Sequence, residues 1–238
     1  MGWLACFLRV ARIHHLPCVV TVGLLGAAVA GCGGTDGHHP STTVVLVDCS
    51  NSVNGNQSQW PAEITTIAEE VLTSEGRLRV GCFAGTAGGV HWSTDVRGEE
   101  APKVTGGVIA RREYQRKWAR LMAPMFREAM RPRGEPGTDW LNALESASET
   151  EHLAGVYVFS DLVQQDEGVE LTLPQSSSRL KSVAAEWAHR LVGLRNITVR
   201  VIGASQGISN RLDRQGTELF DDLERRVDFE GHLSTTVP

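Results

Sequence analysis

Thr43-Val44-Val45-Leu46-Val47-Asp48-Cys49-Ser50-Asn51-Ser52 is the stretch that decides the fold. A short, mostly β-branched apolar run bounded by polar turn residues predicts a strand buried on both faces, the kind found in parallel sheets with helices on either side. The residue that ends the run is then lifted to the rim of the sheet. That residue is Asp48, and Ser50 and Ser52 follow it at alternate positions. One carboxylate and two hydroxyls make an oxygen-only donor set, which suits a hard divalent cation. The same side chains can instead cap a helix and satisfy loop amides.

Two later segments also place oxygen donors at element ends. Gly137-Thr138-Asp139 opens an apolar helix, and Gly155-Val156-Tyr157-Val158-Phe159-Ser160-Asp161 closes a second buried strand. Between them and the first strand, Ser58 and Pro61 mark a helix start; Trp60, Ile64, Ile67, Ala68, Val71 and Leu72 share one face, and Gly76 ends it. Leu78 to Ala84 predicts the second strand. Gly88-Gly89 then turns the chain into a short return strand, Val90 to Trp92, at the sheet edge, and residues 95 to 107 read as loop.

From Val108 to Met130 the spacing predicts a helix with Tyr114, Trp118, Leu121, Met122, Met125 and Phe126 on one stripe, kinked or split by Pro124. This helix and its exit carry Arg111, Arg112, Arg116, Lys117, Arg120, Arg127, Arg131 and Arg133 against Glu113 and Glu128. Such a face either lies against anionic headgroups or is a solvated surface balanced by acids elsewhere. Beyond strand four comes a polar loop that includes Gln164. An amphipathic helix (Leu180, Val183, Ala184, Trp187, Leu191), a strand from Ile197 to Ile202 and a weaker helix around Leu219, Phe220 and Leu223 follow. Five strands can be placed and a sixth cannot.

Strands alternating with helices predict an α/β fold: a doubly wound, mostly parallel five- or six-stranded sheet with helices on both faces and one antiparallel edge strand. In the strand order 3-2-1-4-5-6, strands one and four are neighbours at the point where the winding reverses, and ligands bind there. Asp48 and Asp161 then converge, with the Thr138 hydroxyl in reach. The same order puts Cys49 and Cys82 near the carboxyl ends of neighbouring strands, where they can form a disulfide. Cys82 can equally be an apolar filler.

The 238 residues, 41% apolar and 21% charged, suffice for one well-cored domain. Residues 1–31 are set apart: a basic start at Arg9 and Arg12, no acid, and an apolar run from Leu16 to Ala30 ending in small residues have the layout of an export signal. That run is shorter than the roughly 20 residues that cross a bilayer. Val29-Ala30-Gly31-Cys32 resembles the lipobox of bacterial lipoproteins, which implies a diacylglyceryl group on Cys32 and a mature protein held at the extracytoplasmic face of the cell membrane. Residues 32–41 read as a glycine-rich flexible tether, 42–226 as the domain and 227–238 as a C-terminal tail. Loss of residues 1–31 removes two arginines and takes the net charge from −5 to −7, which gives no general reason to expect nucleic-acid binding.

Asp48-Cys49-Ser50-Asn51-Ser52 resembles the Asp-x-Ser-x-Ser loop of von Willebrand factor type A (VWA) domains. Gly137-Thr138-Asp139-Trp140-Leu141-Asn142-Ala143-Leu144 is similar to their Gly-Thr-x-Leu-x-x-Ala-Leu segment, with Trp140 at the first leucine, and Phe159-Ser160-Asp161 to their strand-four Ser-Asp. The resemblance covers roughly residues 42 to 226. It implies a metal-ion-dependent adhesion site in which Asp48, Ser50, Ser52, Thr138 and Asp161 surround one Mg²⁺ or Mn²⁺. It further implies a binding module, not an enzyme, whose partner is a protein or peptide with an acidic residue. The chain departs from the pattern in a longer loop before helix one, Leu162 where many members have glycine, and a long polar loop after strand four. Two other functions compete. An aspartate ending strand one also serves haloacid dehalogenase-like phosphotransferases, but there the second motif position is a carboxylate and here it is Ser50. The other is an envelope-assembly component with a vestigial metal site.

Overall fold

The computed structural model describes residues 40–50, 59–85, 89–98, 107–129, 137–164, 170–171, 173–203 and 211–234. Ser52, Cys32, the leader and most of the tether therefore lie outside the described residues, as do Arg131 and Arg133. Six strands form one sheet: β1 (Thr42–Asp48), β2 (Arg77–Phe83), β3 (Val90–Arg97), β4 (Leu153–Phe159), β5 (Thr198–Ile202) and β6 (Glu230–Ser234). Their order is β3-β2-β1-β4-β5-β6, and every pair is parallel except β2 with β3. The chain is thus an α/β protein with a doubly wound, mostly parallel sheet and one antiparallel edge pair. β1 lies at its centre, paired with β2 from Thr42↔Arg77 to Asp48↔Phe83 and with β4 from Thr43↔Gly155 to Val47↔Phe159.

The apolar runs are continuous because the sheet is covered on both faces. Side chains alternate across a strand. Val44, Leu46, Val156, Val158, Val199 and Val201 face one core, closed by α4 (Trp140–Ser148), α5 (Ser177–Ala188) and α6 (Arg211–Val227). Val45, Val47, Val80 and Phe159 face the other, closed by α1 (Trp60–Thr73), α2 (Gly107–Leu121) and α3 (Ala123–Ala129). The six residues expected on the inner face of α1 are all buried, and Pro61 sits in its first turn, where no intrahelical N–H bond is lost.

Four expectations need correction. β3 runs to Arg97, so residues 95–97 are strand and not loop. Edge strands keep one face in solvent, so polar residues interrupt their apolar pattern; here Thr94 and Val96 point inward. The unplaced sixth strand is β6, inside the stretch 227–238, with too few apolar residues to show in the sequence; Gly231 lets its backbone approach Phe220 and Glu224 of α6, where a Cβ would meet the Phe220 ring at 2.9 Å. The long basic helix breaks at Met122, two residues before Pro124, as expected; Met122 and Phe126 are buried and Trp118 packs against the core, also as expected, but the rest of the buried side is Gln115 and Ala119. Leu121 and Met125 face outward, because Gln115, Ala119, Met122 and Phe126 keep one helical phase through the break and these two lie about a quarter to a third of a turn away from it. Gln164, read only as part of a polar loop, is fully buried.

Candidate metal centre

Asp48 ends β1 at the carboxyl rim of the sheet and is fully buried. Its Oδ1 accepts a hydrogen bond from the Ser50 N–H at 2.9 Å, which folds the chain sharply after the strand, and its Oδ2 accepts from the Ser160 hydroxyl at 2.9 Å. An ionised carboxylate has about four lone-pair sites, so these two donors leave acceptor capacity on both oxygens. Ser160, just past β4, was quoted in the sequence motif without a role. In the structure it anchors Asp48 across the β1–β4 junction while its own oxygen accepts from the Leu162 N–H at 3.1 Å.

Thr138 arrives from the segment that leads into α4. Gly137 adopts a left-handed φ of 89°, and its carbonyl accepts from the Gly85 N–H at 3.0 Å, which ties the exit of β2 to the entry of α4. From there the Thr138 hydroxyl donates to the Ser50 oxygen at 2.9 Å. Asp161, two residues beyond β4, is partly buried and accepts from the Val163 N–H at 3.0 Å. Asp48, Ser50 and Thr138 are therefore in one hydrogen-bonded group, and Asp161 is close enough for its charge to act on Asp48. Ser52 lies outside the described residues.

Behind this group stands a polar bracket that sequence reading did not find. Asp139 caps α4 by accepting from the Asn142 N–H at 3.1 Å and is also bonded by the Asn142 side-chain amide. It accepts from the Gln164 amide at 2.9 Å, and Gln164 in turn accepts from the Leu141 N–H at 3.4 Å. One buried glutamine thus joins the start of α4, which carries Thr138, to the loop after β4, which carries Asp161. A lone glutamine in a polar stretch gives no sequence signal for this. Leu162, where the family pattern favours glycine, has a left-handed φ of 60° and is fully buried; Gly216 of α6 leaves room for it, since a Cβ there would stand 2.3 Å from the Leu162 carbonyl oxygen. Beneath the rim, Cys49 and Cys82 form a disulfide with a Cα separation of 5.9 Å, and Trp60 packs on Phe159 with ring centroids 5.5 Å apart.

The electrostatics set the two acids apart. Burial pushes the Asp48 carboxyl up to about 7, the nearby Asp161 charge pushes it the same way, and the hydrogen bonds from Ser50 and Ser160 offset part of the rise. Burial also raises Asp161, against the hydrogen bond from Val163. No basic side chain is among the groups acting on Asp48. Two desolvated carboxylates without a cation are a pattern concentrated at functional sites.

The donors fit a small divalent ion. Adjacent ligands of an octahedral Mg²⁺, with bonds of 2.0–2.1 Å at right angles, stand about 2.9 Å apart; Ser50 Oγ and Thr138 Oγ1 are 2.9 Å apart. The set is poor in carboxylates. Among the described residues no three His, Cys, Asp or Glu side chains gather as a metal-binding group, so any ion held here would depend on hydroxyls and water.

No protein-family model matches the chain, and no curated protein does. Solved structures similar to it include the SpRpn10 VWA domain, 11% identical, covering 84% of this chain and 90% of that one with a TM-score of 0.37. Manganese-loaded TRAP protein of Plasmodium vivax is 16% identical, covering 75% of this chain and 62% of that one at 0.31. The pilus adhesin SpaC of Lactobacillus rhamnosus GG, in its open conformation, is 15% identical at 0.31; the match covers 52% of this chain and only 15% of the adhesin. At these scores the likeness is limited, and the reading of the site rests on the chain's own geometry.

Proposed function

We propose that this protein is a lipid-anchored, extracytoplasmic binding module that engages a protein or peptide through a divalent cation, Mg²⁺ or Mn²⁺. Asp48, Ser50, Thr138 and Asp161, with Ser52 from the adjoining loop, would hold the ion. The observation that carries this reading is the meeting of two hydroxyls from separate elements, 2.9 Å apart, beside the fully buried Asp48 at the end of β1 and the partly buried Asp161 just past β4. Neutral hydroxyl donors leave most of an ion's charge unquenched, so a bound Mg²⁺ would supply an open or water-filled position suited to a partner's carboxylate. The chain's own contribution is orientation. Ser50 N–H and Ser160 hold the Asp48 carboxylate, and the Gln164–Asp139 bracket fixes Thr138 relative to Asp161.

The direct test is calorimetry with Mg²⁺ and Mn²⁺ on the wild type and on Asp48→Ala. The wild type is expected to melt higher with metal and the variant to be indifferent; equal melting temperatures in all conditions would mean a vestigial site. Anchoring at Cys32 has its own test: a Cys32→Ser protein should leave the membrane fraction, and one that stays there entirely overturns the anchor.

A further inference from the structure

The face of α2 and α3 that points away from the core is unlike the rest of the surface. Among the described residues six large hydrophobic side chains are strongly exposed, and four of them, Val108, Ile109, Leu121 and Met125, lie on these two helices, Ile109 at 76% and Leu121 at 68%. The helices also carry six cations against two acids, Glu113 and Glu128, in a chain whose net charge is −5. Two of the cations are spoken for, Arg111 by Glu75 at 3.0 Å and Arg120 by Glu69 at 2.5 Å. Arg112, Arg116, Lys117 and Arg127 are exposed and have no ion-pair partner among the described residues. At 100° per residue, Ile109, Arg116, Arg120, Lys117 and Leu121 fall within one outward arc opposite the buried Gln115 and Ala119. Arg112, Arg116 and Arg120 also line a groove of about 430 Å³ against α1, with Glu69 and Glu70 on its other wall.

From this we infer that the α2–α3 face docks on an anionic phospholipid surface. Free cations would seat on headgroup phosphates, and the projecting Ile109 and Leu121 would enter the boundary between headgroups and acyl chains. A soluble polyanion needs the charges but has no use for the apolar tips, which is why the occupant is a lipid surface. The position in the fold agrees. Ser41, where the chain enters the domain, accepts from the Arg77 N–H at 2.8 Å, beside Glu75 and its partner Arg111 at the start of α2. The tether therefore enters at the end of the sheet that carries the start of α2, and Asp48 is at the other end of β1. The inference builds on the membrane location proposed above, so its test leaves the anchor out.

The six described strands and both described core clusters lie between residues 42 and 234, so the chain from Gly33 onward keeps all of them. That chain should co-sediment with phosphatidylcholine vesicles containing 30% phosphatidylglycerol and not with pure phosphatidylcholine, and 0.5 M NaCl should release it, conditions chosen at about these values for strong and screened binding. Each cation near such a surface contributes about fivefold in affinity, so Arg112→Glu/Arg116→Glu/Lys117→Glu should weaken binding on the order of a hundredfold. Ile109→Ser/Leu121→Ser should weaken it roughly tenfold through lost apolar burial. All variants should melt as the parent does, since the side chains are exposed. Equal binding to both vesicle types, or no effect of salt and charge reversal, overturns the inference. So does full binding by the Ile109→Ser/Leu121→Ser protein combined with displacement by soluble polyglutamate, which would assign the face to an acidic macromolecule. Because Cys32 is absent throughout, failure of the anchor leaves these outcomes unchanged.

Discussion

Two regions of the sheet treat an aspartate in opposite ways. At the β2–β3 edge, Asp95 is partly exposed and clamped by Arg77, with Arg79 3.8 Å away. The Arg77 hydrogen bonds hold its pKa below the usual carboxylate range, against a modest burial effect, and the arginine charges help. At the β1–β4 rim, Asp48 is fully buried, meets only hydroxyl and amide donors, and is pushed up to about 7. The fold pairs its structural acid with guanidinium groups and gives its buried acid none. What the contrast teaches is where the described structure leaves a buried carboxylate without a cationic partner, the feature that the proposed metal would answer.

The largest effect should come from the covalent support under the rim. Reducing Cys49–Cys82, which closes a loop across 33 residues, should cost about 4 kcal/mol in the chain-entropy picture, read as a lowered denaturant midpoint with little change in slope. Retention of the oxidised midpoint after complete reduction would show that packing alone holds the rim. Next, Mg²⁺ at about 100 times its dissociation constant should stabilise the wild type by roughly 2.7 kcal/mol and Asp48→Asn not at all. Without metal the sign reverses. The folded state holds the Asp48 proton between about pH 4 and 7 while the unfolded state releases it, so apo stability from this group falls as pH rises through that window. Asp48→Asn should flatten the fall, and a wild-type profile that rises from pH 4 to 7 would break the comparison.

Gly216→Ala probes the rim from behind. The new Cβ would sit 2.3 Å from the Leu162 carbonyl, which is backbone and must shift, so a loss of about 1–3 kcal/mol is expected together with weaker metal stabilisation, since Leu162 adjoins Asp161. A stable variant with an unchanged metal response would uncouple α6 from the rim. The smallest effect belongs to the edge: Asp95→Asn should cost no more than about 1 kcal/mol, because the pair is near solvent. Its contribution is present above the ordinary aspartate range and lost as pH falls through the lowered folded pKa, the opposite slope to that of Asp48.

Much of this was legible in the sequence for a physical reason. Strands buried on both faces must be apolar throughout, so Val44–Val47 and Val156–Phe159 announce themselves, and their order fixes where Asp48 and Asp161 go. The inner face of α1 was readable residue by residue because one unbroken helix keeps one phase. Legibility failed where burial is one-sided or polar. The edge strands β3 and β6 pack on one face only, and the buried side of α2 is made by Gln115 and Ala119, a polar and a small residue that an apolar stripe does not report. Gln164 and Ser160 owe their roles to partners 25 and 112 residues away, and nothing local in a glutamine or a serine reports such partners.

The placement of β1 bears on how the molecule would carry mechanical load. Its seven residues rise about 3.3 Å each, a column of about 20 Å with the tether's entry at one end and Asp48 at the other. A partner gripped at the rim and pulled against the anchor would stretch the domain along that column. Both points of attachment are then on β1 itself, so the load would run along its covalent backbone, and the ladders to β2 and β4 on either side would hold the strand in place without being pulled apart. The disulfide, which joins the residue after β1 to β2, would add a covalent cross-link at the loaded end.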